Sequence, residues 1–479
     1  MTEATLHSDV LIIGAGSAGS IVADRLSADP NCLVTVLEAG LGLADPVLRA
    51  ETDNGVRLPI GAASPLVQRY QTRLTGRPDR RAAIVRGATV GGSGAVNGGY
   101  FCRGLRRDFD ELGLPGWAWA DVVEHFRAIE TDLDFDGPAH GTSGPIRVQR
   151  TSQITGSTAV FVEAAQRNGF GWLPDLNDVG DTLPAGVGAV PLNIVDGVRM
   201  GPGAAYLLPA LTRANLSLLT QTRALRLRMS HGRVTGVDAL GPGGPITVTA
   251  DRVVLCSGAI ESAHLLMLSG IGEETMLRAA GVDVLAPLPV GTACSDHPEW
   301  VLPTTWLVAT GRPVLEVVLS TPDDIEIRPY TGGFVAMVGD GTPGHPDWPH
   351  VGVALMRPRS RGRVALVSAD PLVPPAIEHR YDSEPADVAA LQSGCDLARE
   401  IVAPTTEVGE PAWSTSQHLC GTAPMGPAGD PTAVVDPRCR VHGVDGLWVI
   451  DGSVLPTITS RGPHATIAML GHRAAEFVV

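Results

Sequence analysis

Gly14-Ala-Gly16-Ser-Ala-Gly19 is a G-x-G-x-x-G spacing set between a short apolar run, residues 9–13, and a stretch of helical periodicity, residues 18–26. Gly14 permits a tight turn, Gly16 lets backbone N–H groups approach a pyrophosphate, and Gly19 lets helix pack on strand. The helix N-terminus brings about half a positive charge toward the anion. Glu38 follows Gly19 by 19 residues and closes a second apolar run, 33–37. A carboxylate there accepts hydrogen bonds from a ribose diol and repels a 2′-phosphate, which disfavours NADP. These residues predict a dinucleotide site without choosing between FAD and NAD.

Two further segments have the composition of a ligand wall. Residues 86–99, Arg-Gly-Ala-Thr-Val-Gly-Gly-Ser-Gly-Ala-Val-Asn-Gly-Gly, are too rich in glycine for a helix or strand interior. A backbone with so few side chains can lie against a flat or charged ligand. Val90, Ala95 and Val96 would sit poorly in a solvated linker. Near the C-terminus stand residues 416–422 with His418, 447–453 with Asp451-Gly452, and 462–467 with His464. An apolar strand ending in Asp-Gly suits a carboxylate gripping a hydroxylated ligand chain. His345 and His350 with Asp347 are too loosely spaced to read as a metal site, so no metal is expected.

The elements that must position these residues follow from pattern. Runs 9–13, 33–37, 252–256 and 446–450 read as buried parallel strands, and 18–26, 120–130, 257–268, 386–403 and 466–479 as helices. Residues 216–219, 233–240 and 246–250 read as antiparallel strands, and 300–380 as an antiparallel sheet. Residues 41–85 read as irregular and 138–203 as turn-rich. Nucleotide-type elements at both ends enclose a β-rich middle, so one domain is discontinuous. The expected class is α/β, α+β overall.

Composition narrows the function. The chain has 479 residues and a net charge of −15, and its basic residues are all arginine. The acidic balance argues against a nucleic-acid partner. The lack of lysine removes lysine Schiff-base chemistry and the Walker-A phosphate loop. The seven cysteines are scattered without a C-x-x-C pair, which fits a reducing cytoplasm and neither a disulfide framework nor a zinc ribbon. No signal peptide and no membrane-spanning run is expected, although peripheral docking at the inner face of a membrane stays compatible.

Taken in order, these segments resemble the glucose–methanol–choline (GMC) oxidoreductases, over nearly the whole chain. Residues 86–97 resemble that family's flavin-contacting segment. Residues 204–209 and 213–216, 257–259 through 269–272, Asp296-His297-Pro298 and 359–362 add to the likeness. Within the family, residues 86–104 and 129–144 and the short chain are most similar to the oxidoreductase associated with mycofactocin.

The resemblance implies a Rossmann-like FAD domain from 1–155, 200–297 and 420–479. It implies an antiparallel-sheet substrate domain from 156–199 and 298–419. The implied activity is oxidation of an alcohol CH–OH by hydride transfer to flavin N5. The implied substrate is mycofactocinol, with electrons passed to a respiratory acceptor. A choline-like primary alcohol, or flavin-held lyase chemistry, is the alternative. The implied base is His418, with His464 as its hydrogen-bonding partner at the substrate oxygen. The implied FAD contacts are Gly14, Gly16, Ser17, Gly19, Glu38, Ala39, Arg86, Gly91, Gly92, Asn97, Gly98, Asp451, Gly452, His464, Ala465 and Thr466. Trp448 reads as sheet core, and the histidines other than His418 and His464 as ordinary core or surface residues. Val96 stands where some members carry a flavin-linking histidine, which implies noncovalent FAD. Ala88, Ala263 and Ala423-Pro424 also depart from the family pattern.

Overall fold

The computed structural model describes residues 5–178, 180, 184–308, 311–334, 337 and 347–478. The apolar run at residues 9–13 lies in Thr5–Ile13, an inner strand flanked on both sides by parallel partners, Val34–Leu37 and Gly244–Leu255. The seven-stranded sheet continues outward through Leu216–Leu219 on one side and Arg233–Gly241 and Arg223–Ser230 on the other. Leu447–Val449 joins it parallel to Gly244–Leu255. Val10, Leu11 and Ile12 are fully buried, as a strand covered on both faces requires. Helices Ser17–Leu26, Gly258–Leu268 and His464–Ala474 share the same apolar cluster. The first and last of these touch so closely that a Cβ on Gly471 would stand 2.9 Å from Ala18 Cα.

A second seven-stranded sheet runs Ala412–Thr415, Pro298–Pro303, His350–Leu355, Ile325–Pro329, Val317–Ser320, Gly186–Ala189, Trp172–Leu173. All but the last pair are antiparallel. The two-residue period of a strand sorts its side chains. Ile325, Ile327, Val351 and Val353 pack with residues of helices Pro385–Val402 and Gly156–Arg167. Arg328, Tyr330, Glu299 and Val301 line a cavity instead.

Several expectations are corrected. Residues 41–85 are not irregular: they hold helix Pro46–Asp53 and the antiparallel pair Val67–Gly76 and Asp79–Gly87. Residues 138–203 contain the twelve-residue helix Gly156–Arg167. Leu216–Leu219 runs parallel, not antiparallel, to Val34–Leu37. The two strands expected over 246–256 are one, Gly244–Leu255, and Arg223–Ser230 was not expected at all. Within 300–380, Arg363–Ala365 and Ala376–Glu378 leave the second sheet for a four-stranded one with Val67–Gly76 and Asp79–Gly87. The closing helix begins at His464, with Pro463 as its N-cap, rather than after it. Trp448 is sheet core, as expected.

Candidate active site

One cavity of about 500 Å³ gathers residues from both ends of the chain. Its wall includes Gly14, Gly16, Ser17, Glu38, Ala39, Arg86, Gly92, Asn97, Gly98, His418, Asp451, Gly452 and His464. Gly19, Gly91, Ala465 and Thr466 are not part of that wall. Gly19 is a packing residue, since a Cβ there would meet Gly14 O at 2.0 Å. Gly91 donates its N–H to Ala15 O at 2.7 Å and so joins the two glycine segments. Among the wall residues that sequence reading missed are 222–224, at the start of strand Arg223–Ser230, and Tyr100, Glu299 and Arg328. They come from segments remote in sequence, and no local spacing marks them.

The glycine end has the shape of a cradle. Gly14 adopts φ +103°, and a Cβ on it would stand 2.5 Å from Cys256 O. Gly16 and Gly92 meet back to back, a Cβ on Gly92 falling 2.8 Å from Gly16 Cα. Helix Ser17–Leu26 begins there with no side-chain cap and no acidic residue in its first turn. Its free N–H groups and dipole fit a bound diphosphate. Glu38 accepts N–H bonds from Ala15 (2.9 Å) and Gly40 (2.8 Å). Burial raises its carboxyl to about 7 against the pull of those two bonds. Asp451 is already engaged. Oδ2 accepts from Gly258 N and Ser262 Oγ, and Oδ1 from Ser453 N and Oγ. Its carboxylate therefore braces the turn at residue 258. The residues fit FAD at this end: a side-chain-free floor, a free helix N-terminus and a buried carboxylate. Beyond the cradle the cavity is walled by residues 86–88, 92–94 and 96–98 and by the start of the closing helix, which likewise has no cap and no acid in its first turn.

Toward the other end stands His418; His464 stands beside the glycine loop, its Nε2 2.7 Å and Ser17 Oγ 2.5 Å from a Cβ placed on Gly94. Gly462 precedes His464 by two residues, and His418 Cε1 lies 3.3 Å from where its Cβ would stand. His418 is fixed at its backbone, where its N–H donates to Asp296 Oδ1 at 2.8 Å. Its ring Nδ1 lies 2.9 Å from Nδ1 of His297. Burial first, then repulsion of a second proton by the surrounding His297, Arg328, Arg86 and His464, drives its pKa well below the ordinary value. Burial, then Arg199, lowers His464 to about 4. Both rings are neutral near pH 7. Asn97 donates from Nδ2 to His464 Nδ1 at 3.1 Å, and Gly99 N–H holds the Asn97 oxygen at 2.9 Å. His297, expected as an ordinary core or surface residue, is fully buried with both ring nitrogens engaged, and one of them meets His418. Their separation of 121 positions hides that contact from sequence reading.

The floor of this end is a buried ionic network. Arg328 donates to Glu326 (2.7 Å), Glu299 (2.9 Å) and Ser416 (2.6 Å). Tyr330 donates to Glu299 and Tyr100 to Glu326, each at 2.9 Å. Arg461 completes it against Glu326. Two buried carboxylates balance two guanidiniums, and partnering is what lets such charges stay buried.

Elsewhere, Glu130, Asp132 and His140 form a buried acidic group, but Arg103 and Arg150 pair with it. His350 tilts against Tyr330, and His345 lies outside the described residues. Among the described residues no helix is long and apolar enough to cross a membrane.

Comparison with known proteins accords with this geometry. Residues 8–299 and 358–471 match two family models, both described as GMC oxidoreductase. An uncharacterized GMC-type oxidoreductase from the thcA 5′ region of Rhodococcus erythropolis is 40% identical over 100% of this chain and 99% of its own length. An oxygen-dependent choline dehydrogenase of Rhizobium etli is 32% identical over 99% of this chain and 96% of its own. Pyridoxine 4-oxidase from Mesorbium loti superposes with a TM-score of 0.87 at 27% identity, covering 98% of both chains. Formate oxidase, at 23% identity and TM-score 0.85, shows the shared fold.

Proposed function

The chain belongs to the GMC oxidoreductases, FAD-dependent enzymes acting on CH–OH donors, and from that premise we propose how its residues divide the work. FAD, when bound, supplies the hydride acceptor at flavin N5. His418 takes the substrate hydroxyl proton as the carbon loses hydride, and His464 hydrogen-bonds the same oxygen. The observation that carries this reading is the pair of desolvated, neutral imidazoles on one wall of the cavity with the glycine cradle. A neutral ring is a competent base, and a positioned one contributes roughly 10²–10⁴ in rate.

Gly14, Gly16, Ser17 and the helix behind them would hold the pyrophosphate, and Glu38 with Ala39 the ribose. Arg86, Gly92, Asn97 and Gly98 would lie along the flavin, with Gly91 bracing that loop. Ala465 and Thr466 would turn first-turn N–H groups toward its pyrimidine end. Asp451 with Gly452 would shape the middle of the site, and Gly19 would keep the helix seated. Val96 is buried and apolar and offers no nucleophile, so FAD would be held noncovalently. The FAD domain would comprise 1–155, 200–297 and 420–479, and the substrate domain 156–199 and 298–419.

For the alcohol itself, the likeness of residues 86–104 and 129–144 supports mycofactocinol, with a respiratory electron acceptor. A choline-like alcohol is the second reading. It is favoured by the Glu299 carboxylate in the cavity wall and by the relatives named as choline dehydrogenases. Anaerobic stopped-flow reduction with mycofactocinol, choline and simple alcohols separates them. Purified protein without flavin colour would overturn the whole reading, and turnover without a change of flavin redox state would favour lyase chemistry.

A further inference from the structure

We infer that His297 is a positioning residue: its ring locks His418 in the tautomer with hydrogen on Nδ1, leaving Nε2 bare to accept a proton from substrate. The inference rests on the reading of His418 as base and adds what makes that nitrogen an acceptor.

Nε2 of His297 lies 2.9 Å from the carbonyl oxygen of Thr459. A carbonyl only accepts, so Nε2 carries the hydrogen. Burial pushes the His297 pKa down to about 3, so the ring is neutral and has one N–H to place. Its Nδ1 is therefore a lone pair. That lone pair faces His418 Nδ1 at 2.9 Å, a separation that needs a hydrogen between the two nitrogens. His418 must supply it. Being neutral too, His418 is then bare at Nε2. Which ring nitrogen carries hydrogen is set by the bond the other makes.

His464 is set the opposite way. Asn97 spends its oxygen on Gly99 N–H and so presents N–H to His464 Nδ1. His464 Nε2 then carries the hydrogen, and it is buried without a protein partner. One ring offers a lone pair and the other an N–H, the two functions that a departing alcohol proton and its oxygen require. The charged neighbours preserve this state. Arg328 and Arg86 both oppose a second proton on His418, while Asp296 is committed to its backbone N–H. The dipeptide Asp296-His297 thus fixes His418 twice, at main chain and at ring.

The test uses FAD-loaded protein labelled with 15N-histidine, read by two-bond proton–nitrogen correlation, with His418 assigned by loss of its signals in His418→Gln. The wild type is expected to show His418 as the Nδ1–H tautomer. His297→Leu removes the acceptor and should shift His418 toward the Nε2–H form, lowering kcat/KM about 100-fold. His297→Asn presents an oxygen to His418 and an amide to Thr459, and should restore most of the rate and the tautomer. Wild-type His418 protonated on Nε2 overturns the inference, as does a folded His297→Leu with unchanged rate and tautomer. If the wild-type tautomer is as expected but His418→Gln turns over normally, the base assignment fails and the tautomer lock stands.

Discussion

Gly352 faces Glu299 so closely that a Cβ on Gly352 would stand 2.2 Å from Glu299 Oε1. It would also lie 3.0 Å from the Tyr330 ring. The only residue without a side chain thus makes room for a buried carboxylate held by Arg328, Tyr330 and Ser416. Gly352→Ala must push that carboxylate off its partners. We expect a stability loss of about 1–3 kcal/mol, the range for overpacking a tight interior. We also expect a raised KM for any cationic alcohol. Thermal unfolding with steady-state kinetics checks both, and unchanged values would remove Glu299 from the functional network.

Removing either imidazole should stop chemistry without emptying the site. His418→Ala and His464→Ala are each expected to lower the rate of flavin reduction about 10²–10⁴-fold. Both should retain their visible flavin absorbance, because the glycine cradle is untouched. Rapid-mixing reduction under anaerobic conditions gives the rate, and wild-type rates in both variants would refute the assignment.

Glu38 should make flavin retention depend on pH. Its folded pKa, about 7, lies above the ordinary 4.5, so the empty fold favours the neutral acid. In the apoprotein its contribution to stability therefore falls as pH rises from about 4.5 to 7. A ribose diol needs the ionised acceptor, so FAD affinity should strengthen as pH rises through 7. Titration of apoprotein with FAD on either side of neutrality measures this. In Glu38→Gln the slope should vanish; the same slope there would assign it to another group.

His140 supplies a pH dependence of the other sign. Burial lowers its pKa, but hydrogen bonds to Asp132, Asp175 and Glu130 outweigh that and raise it to about 11. A raised base stabilises the fold fully below its ordinary 6.5, and that stabilisation is lost as pH climbs toward 11. The gap in melting temperature between wild type and His140→Gln should be widest below about pH 6.5 and narrow through the alkaline range. A constant gap would show that packing, not charge, is what His140 supplies.

Much of the cofactor end was legible because its chemistry is local. Gly14 to Glu38 is one strand–helix–strand unit, and each glycine has a reason within that unit. The hairpin at Val67–Gly76 was not, because its buried face is Tyr70, Thr72 and Leu74 and its outer face arginine and glutamine, so the apolar alternation is faint. The direction of Leu216–Leu219 was not either, since a four-residue run has no mark of parallel pairing. His297 is the sharpest loss. Its neighbour His418 reaches it only through pairing of remote segments, such as Pro298 with Thr415 in the second sheet.

The sheet beneath the cradle takes its inner strand from the start of the chain, a neighbour from the middle, and Leu447–Val449 from near the end. His464 follows later still. During synthesis, a ribosome-bound chain that has emerged only to residue 440 owns every glycine of the cradle, yet has neither the last parallel strand nor the second imidazole. A product truncated there would leave residues 253–255 of Gly244–Leu255 without their outer partner beside a complete set of cradle glycines, an open edge that invites wrong strand pairing and proteolytic clearance.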